Sequence, residues 1–156
     1  MFTGDRSGDW LFAALHRTGF ARSPLSVSAD DGQELIDARM LAAVRCAPPQ
    51  NVPTPGERDT CRPWLERELA LLQPTLRVVV ALGGFAWSVT WPVLAGLGYT
   101  QPKPRPKFGH LVEVVTPEGL LVLASFHPSQ QNTFTGRLTE PMLDAVFERA
   151  AVQIAA

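Results

Sequence analysis

A chain of 156 residues, 46% hydrophobic and 19% charged, is long enough for one sizeable core and too apolar to be disordered. Fifteen acidic side chains against fourteen basic ones leave a net charge of −1, which excludes a globally basic nucleic-acid binder but leaves room for a local basic patch. No apolar run approaches the ~20 residues of a membrane span, and the opening residues are neither basic nor apolar enough for a secretory leader, so a single cytoplasmic domain over residues 1–156 is expected.

Asp9 to Gly19 reads as a first helix, with Trp10, Leu11, Ala14, Leu15 and Thr18 on one face and Gly19 as its stop. Residues 21–37 are polar and irregular. The apolar run Met40–Val44 breaks at Cys46-Ala47-Pro48-Pro49 and predicts a buried strand leaving a sheet; a turn follows at Pro53–Gly56. Helical spacing returns over Arg62–Leu72, with Pro63 in the first turn, where its missing N–H is harmless. Arg77–Leu82 holds five uninterrupted apolar residues and predicts a parallel strand buried on both faces. Gly83-Gly84 turns the chain into a helix from Phe85 to about Leu97, with a kink or break expected at Pro92. Beyond the Pro-rich, basic residues 100–110, Val112–Val115 and Leu120–Ala124 predict a hairpin around Thr116-Pro117-Glu118-Gly119. An amphipathic helix closes the chain over Glu140–Ile154. Strands alternating with helices imply a three-layer α/β/α sandwich on a mostly parallel central sheet.

Ligands of open α/β sheets bind at the carboxyl ends of the strands, and three loops stand there. In Cys46-Ala47-Pro48-Pro49-Gln50-Asn51 the prolines fix the backbone and present Asn51, whose amide carries the donor and acceptor that a uracil edge requires. Gly83-Gly84 offers bare amides that could meet a phosphate. The third loop, Phe126-His127-Pro128-Ser129-Gln130-Gln131-Asn132, continues through Thr135-Gly136-Arg137; a histidine held by proline and followed by polar donors suits an anionic or carbonyl-rich ligand. Plainer readings stand beside these. Cys46 and Cys61 fit small buried residues, Asn51 a turn former, Asp5 a solvated terminus, and Trp87 and Trp91 core. Lys103, Arg105 and Lys107 fit either a solvated loop or a phosphate contact.

Taken together, the His-Pro-Ser-x-x-Asn loop, the Cys-x-Pro-Pro-x-Asn segment and the opening Phe2-Thr3-Gly4-Asp5 resemble the uracil-DNA glycosylase superfamily. The nearest branch is family 5, the B-type iron–sulfur enzymes, and the likeness runs from Phe2 to about Gln153. The resemblance implies a monomeric DNA-repair enzyme that hydrolyses the N-glycosidic bond of uracil, and of hypoxanthine and xanthine, in DNA. It makes Asp5 the carboxylate that activates water and His127 the group that steadies the leaving base. Phe2 would stack on the extruded base and Asn51 read its edge, while Ser129, Asn132 and Arg137 would hold DNA phosphates. Cys46 and Cys61 would be the second pair of ligands to a [4Fe–4S] cluster. Members of that family carry a preceding segment with the first two cluster cysteines and a central strand lying between Met40–Arg45 and Arg77–Leu82. The expectation is therefore a sheet without that strand, a chain that folds poorly alone and has little activity. The alternative function is a non-catalytic remnant that binds DNA or a partner.

Overall fold

The computed structural model describes residues 5–46 and 48–156, and of Asn51 only the backbone. Asp5 opens the first helix: its side chain accepts a hydrogen bond from the Gly8 N–H at 2.6 Å, and α1 (Arg6–Arg17) follows. The helix thus begins three residues before Asp9, because the cap lies at Asp5. Leu11, Phe12, Ala14 and Leu15 form its buried face. Residues 21–37 are irregular, as expected, apart from one antiparallel bridge between Ala21 and Leu35.

Met40–Val44 differs from expectation. It forms no ladder with any described residue, although its side chains alternate as in a strand. Met40 packs towards α1 and the C-terminal helix, while Leu41 and Ala43 pack towards the next two helices. Side chains tie the segment down instead of backbone pairs: Arg39 and Arg45 both bind Glu68, and the Arg45 guanidinium lies 5.1 Å from the Trp64 ring centroid.

A short 3₁₀ turn (Pro49–Asn51) leads to α2 (Pro55–Leu72). This helix starts seven residues before Arg62, since Thr54 and Glu57 form a capping box and Pro55, not Pro63, is the first-turn proline. Strand β1 (Val78–Leu82) and α3 (Gly84–Gly96) follow, the helix running through Pro92 without a break. The predicted hairpin is present as β2 (Glu113–Val115) and β3 (Leu121–Ser125), antiparallel, with Glu113 opposite Leu123. A one-turn helix, α4 (Gln130–Phe134), and the long α5 (Glu140–Ala155) complete the chain.

The sheet order is β1-β3-β2, with β1 and β3 parallel. Leu121 and Leu123 of β3 face α1 and α5, whereas Val122 and Ala124 face Trp87, Trp91 and Leu94 of α3. Helix α2 packs on the outside of α3 through Leu65 and Leu69 against Val89 and Val93. The architecture is the α/β/α sandwich. Burial on both faces belongs to β3, every residue of which is buried; in β1 only Ala81 is buried. The cause is position: among the described residues β3 has a neighbour on each side, and β1 has one. No helix of the described residues is long and apolar enough to cross a membrane.

Candidate active site

Parallel register brings the loops after β1 and β3 side by side. Leu82 lies opposite Ser125, and the next N–H, that of Gly83, donates to the Ser125 carbonyl at 2.8 Å. Gly83 has φ +93°, and a Cβ on it would come within 3.2 Å of the His127 Cβ. A Cβ on Gly84 would meet the Phe108 ring at 3.5 Å. The two glycines therefore let His127 and Phe108 approach the backbone. The phosphate reading of Gly83 fails on its amide, which is already committed to Ser125.

His127 is half-buried and followed by the fully buried Pro128. The Asn132 amide reaches back 2.9 Å to the His127 carbonyl and fixes the loop from inside. Burial pushes the imidazole below its usual 6.5, and the negative charge of Asp5 pulls it partly back up. Burial thus disfavours the charged imidazolium, and the Asp5 charge is felt at the ring. On Asp5, Oδ1 caps α1, while Oδ2 takes part in no described hydrogen bond. The cap also places that carboxylate at the positive end of the helix dipole.

Ser129 is the half-buried residue at the start of α4, its carbonyl accepting from Asn132 and Thr133. Arg137 is exposed, its guanidinium 4.6 Å from the Phe126 ring centroid. Phe2 lies outside the described residues. Asn51 closes the 3₁₀ turn behind Gln50, which adopts φ 57°, but its side chain lies outside them too.

Reading by residue type passed over His110. Its Nε2 lies 3.1 Å from the Met142 carbonyl and its Nδ1 3.2 Å from the Phe126 nitrogen. Only one neutral tautomer serves both: Nε2–H donates to Met142, and Nδ1 accepts from Phe126 N–H. The ring also packs on Phe126 at 5.2 Å, so that Phe126 is held between His110 and Arg137. His110 thus braces the residue immediately before His127 against α5. A histidine two residues after Phe108, just ahead of a predicted strand, was the available signal.

Cys46 is exposed and Cys61 half-buried, which removes the reading of both as ordinary buried residues. The structure brings them together. The Arg45 N–H points at Cys61 Sγ at 3.4 Å, and desolvation, with the neighbouring Cys61 next, raises the Cys46 thiol above its usual value. A [4Fe–4S] cluster needs four thiolates, and no group of three metal-binding side chains exists among the described residues. The pair fits half of such a set and no more.

Comparison with known proteins shows the family. The family model described as the uracil DNA glycosylase superfamily matches residues 1–151. The chain is 55% identical over 150 residues to the type-5 uracil-DNA glycosylase of Mycobacterium tuberculosis, covering 96% of this chain and 54% of that protein. It is 47% identical over 151 residues to the one from Pyrobaculum aerophilum, covering 97% and 62%. For the one from Thermus thermophilus the identity is 45% over 149 residues, covering 96% and 65%. The chain therefore spans about half the length of the mycobacterial relative and under two-thirds of the other two.

Proposed function

Because the chain belongs to the uracil DNA glycosylase superfamily, we propose that it serves base-excision repair by hydrolysing the N-glycosidic bond of uracil in DNA, and of the other deaminated bases hypoxanthine and xanthine. The observation that carries this reading is the half-buried His127 just beyond β3, its loop fixed by the Asn132 amide and its side chain set against Gly83, with the Asp5 charge felt at the ring. A stacked base cannot be reached, so the nucleotide is first extruded at a cost of a few kcal/mol. The glycosidic electron pair then leaves with the base. A His127 N–H aimed at the base oxygen stabilises the growing negative charge in the transition state more than in the ground state, by about 3 kcal/mol for one preorganised donor. Asp5 aligns a water against the oxocarbenium-like sugar carbon and accepts its proton as the new C–O bond forms, the proton finally passing to the departed base. Asn51 reads the base edge and Phe2 stacks on it. Ser129 and Arg137 hold flanking phosphates, with Asn132 dividing its amide between DNA and the His127 carbonyl.

Cys46 and Cys61, the two cysteines of this sequence, would supply half of the four thiolates that a [4Fe–4S] cluster takes; no step of the hydrolysis runs through that group. The test is release of uracil from a defined oligonucleotide. His127→Ala lowers the rate by about 10²–10³-fold, and Asp5→Asn, which keeps a capping side chain, lowers it without unfolding α1. DNA binding with no base release by the unsubstituted protein overturns the catalytic reading in favour of a binding module.

A further inference from the structure

A second polar feature lies on the α3 side of the sheet. Arg58 and Arg62 of α2, Ser88, Val89 and Pro92 of α3, and Arg105 of the Pro-rich loop line a cleft of about 240 Å³. No carboxylate is among the lining residues. Arg58 spends its Nε on Asp59, and Arg62 its Nε on Glu66 and one Nη2 contact on the Pro92 carbonyl. Arg105 makes one long contact to Gln101 at 3.5 Å. A guanidinium has five N–H donors, so most of the fifteen in the cleft enter no described bond.

The loop bearing Arg105 is held in place. The Gln101 amide donates to the Trp91 carbonyl at 2.7 Å, and Trp87 Nε1 donates to the Pro106 carbonyl at 3.0 Å. Prolines at 102, 104 and 106 stiffen what lies between. The loop therefore runs along α3 from the level of Trp91 to Phe108, which packs on Gly84 beside the His127 loop. Ser88, in the cleft wall, lies five residues along the chain from Gly83, roughly 7.5 Å at 1.5 Å per residue. That offset is comparable to the spacing of adjacent phosphates along one strand.

We propose that Arg58, Arg62 and Arg105 form an anion cleft that holds a backbone phosphate of the DNA strand flanking the extruded nucleotide. The inference rests on the glycosylase reading for its ligand but not for its chemistry, which is that of guanidinium and phosphate. Lys103 and Lys107, exposed on the same loop, flank Arg105 along the chain and add to its positive charge.

The test is affinity for an undamaged duplex over a salt series, measured by fluorescence anisotropy. The double variant Arg62→Gln/Arg105→Gln is compared with the unsubstituted protein and with Arg22→Gln, which pairs with Glu34 on the far side of the sheet. Losing one phosphate contact makes the slope of log K against log salt shallower by about 0.9, with binding several-fold weaker at low salt, while Arg22→Gln leaves both unchanged. Duplex binding with the same slope in the double variant overturns the cleft and leaves the glycosylase reading intact. A changed slope alongside absent base release overturns that reading and leaves the cleft. If inorganic phosphate shifts the Arg105 Nε–H resonance but the duplex slope is unaltered, the site takes free anions and the DNA assignment falls.

Discussion

His127 is positioned by a chain of constraints that ends two elements away. Its backbone is held by Asn132 and pressed by Gly83, and its predecessor Phe126 is stapled through His110 to the Met142 carbonyl. His110→Ala leaves the Phe126 N–H and the Met142 carbonyl without their partner and is expected to cost about 1–3 kcal/mol of stability, the range for unmet buried polar groups. On the proposed glycosylase reading, kcat in base-release assays falls more than KM rises, because the imidazole is misplaced while Ser129 and Arg137 keep their surroundings. His110→Gln, whose amide restores one of the two bonds, recovers part of each loss. Urea unfolding together with steady-state kinetics separates these outcomes; equal effects of the Ala and Gln variants exclude a positioning role.

The elements show where the sequence was legible and where it was not. Helix α2 depends on the Thr54–Glu57 capping box, and Thr54→Ala is expected to cost about 1 kcal/mol. Amide exchange accelerates in its first turn, which leads to Arg58 and Cys61. That box was readable as Thr-x-x-Glu, yet Pro63 drew the helix start to Arg62, because one proline in a first turn looks much like another until the cap is weighed. β3 and the hairpin were legible since Leu120–Ala124 is apolar and Thr116–Gly119 is a turn signal. The Met40–Val44 strand was misread because an apolar pattern reports where side chains go, not whether the backbone finds a partner. In the candidate site, Asp5, His127, Cys46 and Cys61 stand out in the sequence through their motifs, and the structure brings the two cysteines together. His110 escaped because its importance lies in contacts to Phe126 and Met142, the latter 32 residues away.

At the scale of the whole molecule, burial makes the fold sensitive to acid. His110 and His127 both titrate below 6.5 in the folded chain, mainly through desolvation. The unfolded chain therefore takes up protons first. Stability is complete above about 6.5 and falls as pH drops from there towards the lower folded values. Glu118 adds a second loss further down: hydrogen bonds from Thr100 hold its carboxyl at about 2 against a usual 4.5, so its contribution is present above 4.5 and lost as pH falls towards 2. Urea unfolding midpoints across this range are expected to decline in two stages, the first flattened in His110→Gln; a midpoint constant from neutrality to about pH 5 excludes the histidine contribution. The pairing of β1 with β3 carries a last consequence. Leu82 opposite Ser125 sets Gly83 against His127, while the same register sends Leu121 and Leu123 into one helical layer and Val122 and Ala124 into the other. A slip of one residue, ~3.3 Å, would move the imidazole away from its glycine and turn the strand inside out. Alignment of the chemistry and sorting of the core are thus one decision, taken when two strands meet, and a misregistered chain has no route to being folded but inactive.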